Sequence, residues 1–295
     1  MSTETIGIIA GSGQFPVLAA RMARASGLRV AICGFQGYTD PELGQEADDF
    51  TLLPLGKLSK IMAVFKRAGV KRLCMAGAID KPRALHFRPD WRTARVLLRT
   101  IGQGDDALLR AFARELESEG FEVIQTALLV PGLAAPQGVL TRRHPTAVEW
   151  ENICYGWRIA RTIGRLDIGQ CVVVRRTMVM AVECLEGTDE TLRRGASLGG
   201  KGCVAIKILK PGQDRRLDQP ALGLTTIKVL VENGFTCIAY EADGALLFDR
   251  EECIALADAH NLCLIGLNHK AVLEHPAYAV GGAADEPATP ETPES

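Results

Sequence analysis

The chain has 295 residues, 47% of them hydrophobic and 23% charged. That length suggests two domains and buries about three quarters of the unfolded surface, which excludes a disulfide-stapled miniprotein and a disordered chain. Lys and Arg total 34 against 35 Asp and Glu, a net charge of −1. With no global basic excess to release phosphate counterions, nucleic-acid binding is not expected.

The N-terminal run Thr5-Ile-Gly-Ile-Ile-Ala-Gly11 predicts a buried strand, followed by a Gly11-Ser-Gly13 turn and a helix from Pro16 to Ser26. Arg29–Cys33 predicts a second strand. A strand–glycine turn–helix–strand unit of this length argues for a parallel, doubly wound sheet. A helix near 57–68, a strand near 70–76, helices near 90–101 and 104–119 and a strand at 121–124 continue the alternation. The stretch 131–147 holds three prolines and two glycines with no clear period, so residues 132–147 are expected to link two domains, 1–131 and 148–279.

The second half predicts a helix at 148–165 and a continuous strand from Cys171 through Val174 and beyond. A helix near 188–196, a strand at 203–209, a polar loop at 210–222 and a helix at 223–233 come next. Short strands around 236–248 precede a last helix and strand ending near 267. The tail 280–295 is rich in Pro, Ala and acids, and is expected to be disordered. The fold class is therefore α/β: a Rossmann-like N-terminal domain with a parallel sheet, and a second α/β domain.

The nine cysteines are odd in number, lack C-x-x-C spacing and sit mostly in apolar runs, as buried thiols of a reducing cytosol do. His86, His144, His260, His269 and His275 form no H-x-H, D-x-H or H-E-x-x-H pattern, so zinc is not expected. There is no G-x-S-x-G elbow. The first residues lack a signal peptide's basic flank, and no run of about 18 apolar residues occurs. A soluble, cytoplasmic protein is expected, or at most a peripheral one.

Gly11, Ser12, Gly13, Gln14 and Phe15 lie between a strand and a helix, where backbone N–H groups can cradle phosphate. A tight turn that needs glycine for backbone reasons alone explains them equally well. Pro16 stands where a dinucleotide fingerprint wants its third glycine, and the next strand ends Cys33-Gly-Phe35 without an acid for a ribose. That disfavours a nicotinamide-dependent oxidoreductase. Arg92, Arg95 and Arg99 share a face of one predicted helix, with Trp91, Ala94 and Leu98 on a neighbouring stripe. A solvated face explains this better than a membrane-lying helix.

The densest chemistry lies in the second half. Glu183, Glu186 and Asp189 follow a strand, and Lys207, Lys210, Asp214, Arg215, Arg216 and Asp218 crowd a loop bracketed by Pro211 and Pro220. Carboxylates beside Lys and Arg suit a hard Mg²⁺ ion, or Mn²⁺, on phosphate oxygens. The metal would polarise a phosphoryl group while the cations offset developing charge. A salt-bridged surface loop is the competing explanation.

Six segments together resemble the LpxI family of UDP-2,3-diacylglucosamine pyrophosphatases of lipid A biosynthesis. They are IIAGSGQFP (8–16), LGKLSKI (55–61), GDDALLR (104–110), RLDIGQ (165–170), AVECLEGTDETLRR (181–194) and KPGQDRRLDQPALGLTTI (210–227). The resemblance spans residues 5–268 and implies an active-site cleft between the two domains. It implies Mg²⁺-dependent hydrolysis to UMP and 2,3-diacylglucosamine 1-phosphate (lipid X), with water attacking the β-phosphorus. The family's essential aspartate, in an R-x-D-x-P setting, maps onto Asp218. Family members commonly read D-L-P-T-I-G where this chain reads Asp218-Gln-Pro-Ala-Leu-Gly223, so Ala221 lacks a hydroxyl.

On this reading Asp218, Asp214 and Lys210 are the catalytic candidates. Asp218, Glu183, Glu186 and Asp189 are the metal candidates. Gly11–Phe15, Thr188, Lys207, Gln213 and Arg215 would contact substrate. An acylated substrate also implies contact with the inner membrane, and a non-catalytic carrier of a nucleotide-linked lipid is the alternative from another class.

Overall fold

The apolar run at the N-terminus becomes the central strand of a parallel sheet. In the computed structural model, which describes residues 3–79, 88–102, 104–130, 132–217, 219–242 and 244–280, the strands are β1 (Thr5–Ala10), β2 (Arg29–Phe35), β3 (Asp49–Leu53), β4 (Arg72–Ala76) and β5 (Glu122–Val123). Their order is β3-β2-β1-β4-β5, and every pairing is parallel. Period-two alternation gives the inner strands β1, β2 and β4 two buried faces. Ile6, Ile8, Ala10, Val30 and Ile32 pack against Ala19, Ala20 and Ala23 of α1 (Phe15–Ala25). On the other face, Ala31, Cys33 and Leu73 meet α2 (Leu58–Arg67), α3 (Trp91–Thr100) and α4 (Gly104–Glu117) through Phe65, Val96 and Leu116. The strand β3 is absent from the sequence expectation: it is an edge strand with a single buried residue, Leu53.

The second half builds another three-layer unit. Its strands are β6 (Gly138–Val139), β7 (Cys171–Arg175), β8 (Met178–Val182), β9 (Val204–Lys207), β10 (Ala221–Leu222), β11 (Cys237–Glu241), β12 (Leu246–Leu247) and β13 (Cys263–Leu267). Six form a mixed sheet of order β6-β13-β11-β9-β7-β8. Val172, Val174, Ile206 and Ala239 face α5 (Ala147–Arg165) through Trp157. The opposite face, with Val173, Ala205 and Ile238, meets α6 (Thr188–Gly199), α7 (Leu224–Glu232) and α8 (Arg250–Ala259). The short α9 (His269–Leu273) and α10 (Pro276–Val280) close the described chain.

One expectation is corrected here. The continuous strand after Cys171 is a hairpin, because Arg176 and Thr177 both adopt positive φ (51° and 54°) and reverse the chain between β7 and β8. The Thr177 N–H donates to Asn152 Oδ1 at 2.8 Å, which ties the turn to α5. Residues 132–147 carry backbone pairings of their own. Ala135 N–H donates to the Ala245 carbonyl, Gly138–Val139 pairs antiparallel with β13, and Thr146 forms a capping box with Glu149 at the start of α5. The tail 281–295 lies outside the described residues.

The two halves share structure. Leu247 N–H donates to the Leu133 carbonyl, and Leu246 bridges Ala134 while pairing with Ala221. Leu246 is buried in the core beside Ile8 and Ala20, and Leu217 in the core beside Leu73 and Leu116. No described helix is long and apolar enough to cross a membrane.

Candidate active site

Strand order in the first sheet reverses between β1 and β4. In an open parallel sheet that switch point leaves a crevice beyond the carboxyl ends of the strands. Here the loops that follow β1 and β4 are stitched together: Ser12 N–H donates to the Ala78 carbonyl (2.8 Å), and Ala78 N–H donates to the Ser12 carbonyl (3.1 Å). A Cβ on Gly11 would lie 2.4 Å from the Ala78 oxygen, and one on Gly77 would lie 2.4 Å from the Ser12 oxygen. Glycine at 11 is therefore required for backbone approach. The Gly11 N–H is itself held by the Ala76 carbonyl, so the amides of Gly11 and Ser12 serve the turn rather than a phosphate. Gly13, with φ of 92°, then delivers the chain to the N-terminus of α1, whose first amides have no acceptor within the helix.

A cavity of about 600 Å³ opens over this crevice. One wall is Ser12, Gly13, Gln14 and Phe15 with Gly77 and Ala78, and the other is Arg215, Gln219, Thr225, Lys228, Phe248 and Asp249 from the second half. Phe15 and Phe248 close across it edge to face, with ring centroids 5.5 Å apart.

The loop 210–217 belongs to both halves. Arg216 makes a two-pronged ion pair with Asp214 (Nη2 to Oδ2 2.7 Å, Nε to Oδ1 3.0 Å), reaches Glu117 of α4 at 2.6 Å, and donates to the Val123 carbonyl. Arg110 of α4 donates to the Gly212 carbonyl at 2.8 Å. Asp214 is held below the usual carboxylate range by the Arg216 guanidinium, so it is an ionised anchor for this loop.

Of the expected site residues, Ser12, Gly13, Gln14, Phe15 and Arg215 line the cavity. Asp218 lies outside the described residues, although Leu217 and Gln219 on either side of it both line the cavity. Lys210 pairs with Asp167, and the Gln213 side chain accepts from the Lys210 N–H. Glu183, Thr188 and Lys207 form a buried relay. Thr188 Oγ1 donates to Glu183 Oε1 (2.8 Å), and Lys207 Nζ donates to Thr188 Oγ1 (3.0 Å) and to the Ala221 carbonyl (2.8 Å). Because Ala221 lines the cavity, Lys207 braces its wall from behind. Replacing Lys207 by methionine should lower the unfolding free energy by roughly 1.5–3 kcal/mol, the worth of hydrogen bonds from a charged donor, read by urea denaturation.

Glu186 is paired with Arg194, and Asp189 accepts from Thr226 Oγ1 at 2.9 Å. The three acids expected to share a metal thus turn to three different partners. Among the described residues no group of three or more His, Cys, Asp or Glu is placed to hold a metal ion, and Asp249 is the only acid on the cavity wall.

Sequence reasoning missed Lys228, Phe248 and Asp249. Lys228 had a signal, since it stands one helical turn beyond Thr225 and Leu224 at the start of α7, and all three line the cavity. Asp249 had none: it adopts φ 48° ahead of α8 and makes no side-chain cap there. Burial pushes the thiols of Cys33 and Cys74 up to about 12, which leaves these two unreactive.

Comparison with known proteins decides the family. A model of the LpxI N-terminal domain matches residues 5–133, and one of the LpxI C-terminal domain matches residues 136–265. The chain belongs to the LpxI family. Consistent with this, it is 36% identical to the UDP-2,3-diacylglucosamine pyrophosphatase LpxI of Caulobacter vibrioides, over 89% of this chain and 97% of that protein. Likeness to solved structures is remote. A Thermotoga maritima N5-carboxyaminoimidazole ribonucleotide synthetase matches with TM-score 0.26 and 14% identity, over 63% of this chain and 43% of that one. The biotin carboxylase domain of the Hydrogenobacter thermophilus 2-oxoglutarate carboxylase matches with TM-score 0.25 and 10% identity, over 67% and 41%. The chain spans under half of either structure, and the LpxI assignment rests on neither.

Proposed function

We propose that this LpxI-family protein hydrolyses the pyrophosphate of UDP-2,3-diacylglucosamine, releasing UMP and 2,3-diacylglucosamine 1-phosphate, as a step of lipid A synthesis in the cytoplasm. The observation that supports this most directly is the cavity itself. The switch point of a Rossmann-like sheet, a common nucleotide crevice, faces the family's R-x-D-x-P loop across about 600 Å³. The α1 N-terminus with Arg215 and Lys228 offers positive charge to a diphosphate. Phe15 and Phe248 offer an apolar surface to a base or sugar.

Water attacks one phosphorus and the bridging P–O bond breaks, so UMP departs with the bridging oxygen when the β-phosphorus is attacked. Arg215 and Lys228 would offset the charge that grows on that oxygen. Asp218, whose chain neighbours line the cavity, is the proposed catalytic carboxylate. Mg²⁺, replaceable by Mn²⁺, is proposed as cofactor on the family resemblance. The described residues do not by themselves assemble its ligand set.

The test is UMP release from UDP-2,3-diacylglucosamine by the full chain, with Mg²⁺ and with EDTA. Mg²⁺-dependent release is expected. Release that persists in EDTA would remove the metal from the proposal, and no release at all would remove the reaction, leaving a carrier of the same lipid nucleotide.

A further inference from the structure

Helix α3 is apolar on two opposite sides. Thr93, Val96 and Thr100 are buried against the domain. At 100° per residue, Trp91 and Leu98 fall on the far side of the helix. They are 78% and 67% exposed, and Ile101, just past the helix end, is 73% exposed. Single exposed apolar side chains need no explanation, but a surface helix ordinarily turns polar residues outward. Here a tryptophan, a leucine and an isoleucine occupy the outward crest within eleven residues.

The segment that carries this crest is one-sided in charge. Residues 88–101 contain Arg88, Arg92, Arg95 and Arg99 against one acid, Asp90, in a chain whose net charge is −1. Asp90 is engaged within the fold, accepting from the Thr93 and Ser59 N–H groups at 2.9 and 2.8 Å. Arg92 reaches Glu119 (2.5 Å) and Glu115 of α4 (3.3 Å), and Arg95 reaches Glu115 (2.8 Å); these pairs fix how the helix sits and offset part of its charge. α3 therefore presents a rigid apolar ridge with arginines along its flank.

We propose that this face docks onto an anionic phospholipid bilayer. Trp91, Leu98 and Ile101 enter the boundary between headgroups and acyl chains, and the exposed Arg88, Arg95 and Arg99 face lipid phosphates. The composition is that of an interfacial helix, with an aromatic anchor and basic residues at headgroup level. Its place in the fold suits such docking, because α3 packs on α4, and α4 holds the 210–217 loop through Arg110 and Glu117. The docked face and the cavity loop are thus joined by one helix. This inference leans on the proposed reaction only for the reason a bilayer is needed, namely that the substrate carries two acyl chains.

The experiment uses the full chain and no substrate. The protein is sedimented with vesicles of phosphatidylcholine alone and of phosphatidylcholine with phosphatidylglycerol, at low and high salt, while tryptophan emission is recorded. The comparison is a Trp91→Ser, Leu98→Ser, Ile101→Ser variant, with Leu98→Asp alone as a milder control and thermal unfolding as a check of folding. Wild type is expected to bind the anionic vesicles and to shift its tryptophan emission to the blue. The triple variant should bind on the order of tenfold less tightly, with unchanged melting, and high salt should weaken wild type. Equal binding by variant and wild type, or no vesicle binding by wild type, overturns the proposal. So does a wild-type dimer in light scattering that the variant loses without any vesicle binding, since the face would then belong to a second copy. Because no substrate is present, failure of the pyrophosphatase reading leaves this result unaffected, and the reverse also holds.

Discussion

Asp218→Ala is expected to leave a folded protein whose UMP release falls by roughly 10²–10⁴-fold, the range typical of removing a positioned acid–base group. The surroundings explain why folding should survive. Leu217 is buried in the first domain's core, Pro220 is buried, and Arg216 is clamped by Asp214, Glu117 and the Val123 carbonyl. The loop is therefore held on both sides of position 218 by contacts the substitution does not touch. Thermal unfolding should move by no more than about 3 °C, equivalent to roughly 1 kcal/mol in a chain of this size. Asp249→Asn is the control, because Asp249 is the only described acid on the cavity wall. Should Asp218→Ala turn over at the wild-type rate while Asp249→Asn does not, the carboxylate role passes to Asp249.

The second large effect is on stability. Arg143 makes a two-pronged pair with Glu149, at 2.5 and 2.8 Å, and also donates to the carbonyls of Asn261 and Thr236. Glu149 is buried and closes the capping box of α5 with Thr146. Arg143→Met would leave this carboxylate buried without its cation, which costs about 3–5 kcal/mol. A Glu149→Gln change added to it should recover part of that loss, because the unpaired charge disappears. Chemical denaturation of both variants checks this, and an Arg143→Met protein as stable as wild type would refute it.

The same pair sets a pH dependence. Burial opposes the charge of Glu149, but the Arg143 guanidinium and the Thr146 N–H outweigh it and hold the carboxyl at about 2, against an ordinary 4.5. A carboxyl depressed in the folded state contributes stability above its unfolded pKa, and that contribution is lost as pH falls toward the folded value. Its size is on the order of 3 kcal/mol, and it should fade between about pH 5 and pH 2. Unfolding followed across that window should be visibly flatter in Glu149→Gln than in wild type.

Local pattern alone made the first sheet legible. Strands such as Thr5–Ala10 and Arg29–Phe35 are buried on both faces, so they read as unbroken apolar runs, and glycine turns with amphipathic helices separate them. The strand β3 escaped notice because an edge strand with one buried residue has no such run. The hairpin at Arg176–Thr177 escaped because its turn uses residues that seldom adopt positive φ. At the site, the glycine turn and Arg215 were legible as motifs, since each is a short run with local chemistry.

By itself the sequence determined the α/β class, the family, and which loops hold the charged residues, because those follow from short-range periodicity and from motif order. Only the tertiary structure decided which of those charges face the cavity. Glu183, Glu186 and Asp189 are close in sequence, yet the register of β7–β9 and the start of α6 hand them to Thr188, Arg194 and Thr226. Lys228 and Asp249 stand 21 residues apart on separate elements, and they meet the Gly13–Phe15 turn because Leu217 and Leu246 are buried in the first domain's core. Burying those two leucines draws the second domain's loops over the crevice, a long-range packing choice to which spacing along the chain is blind.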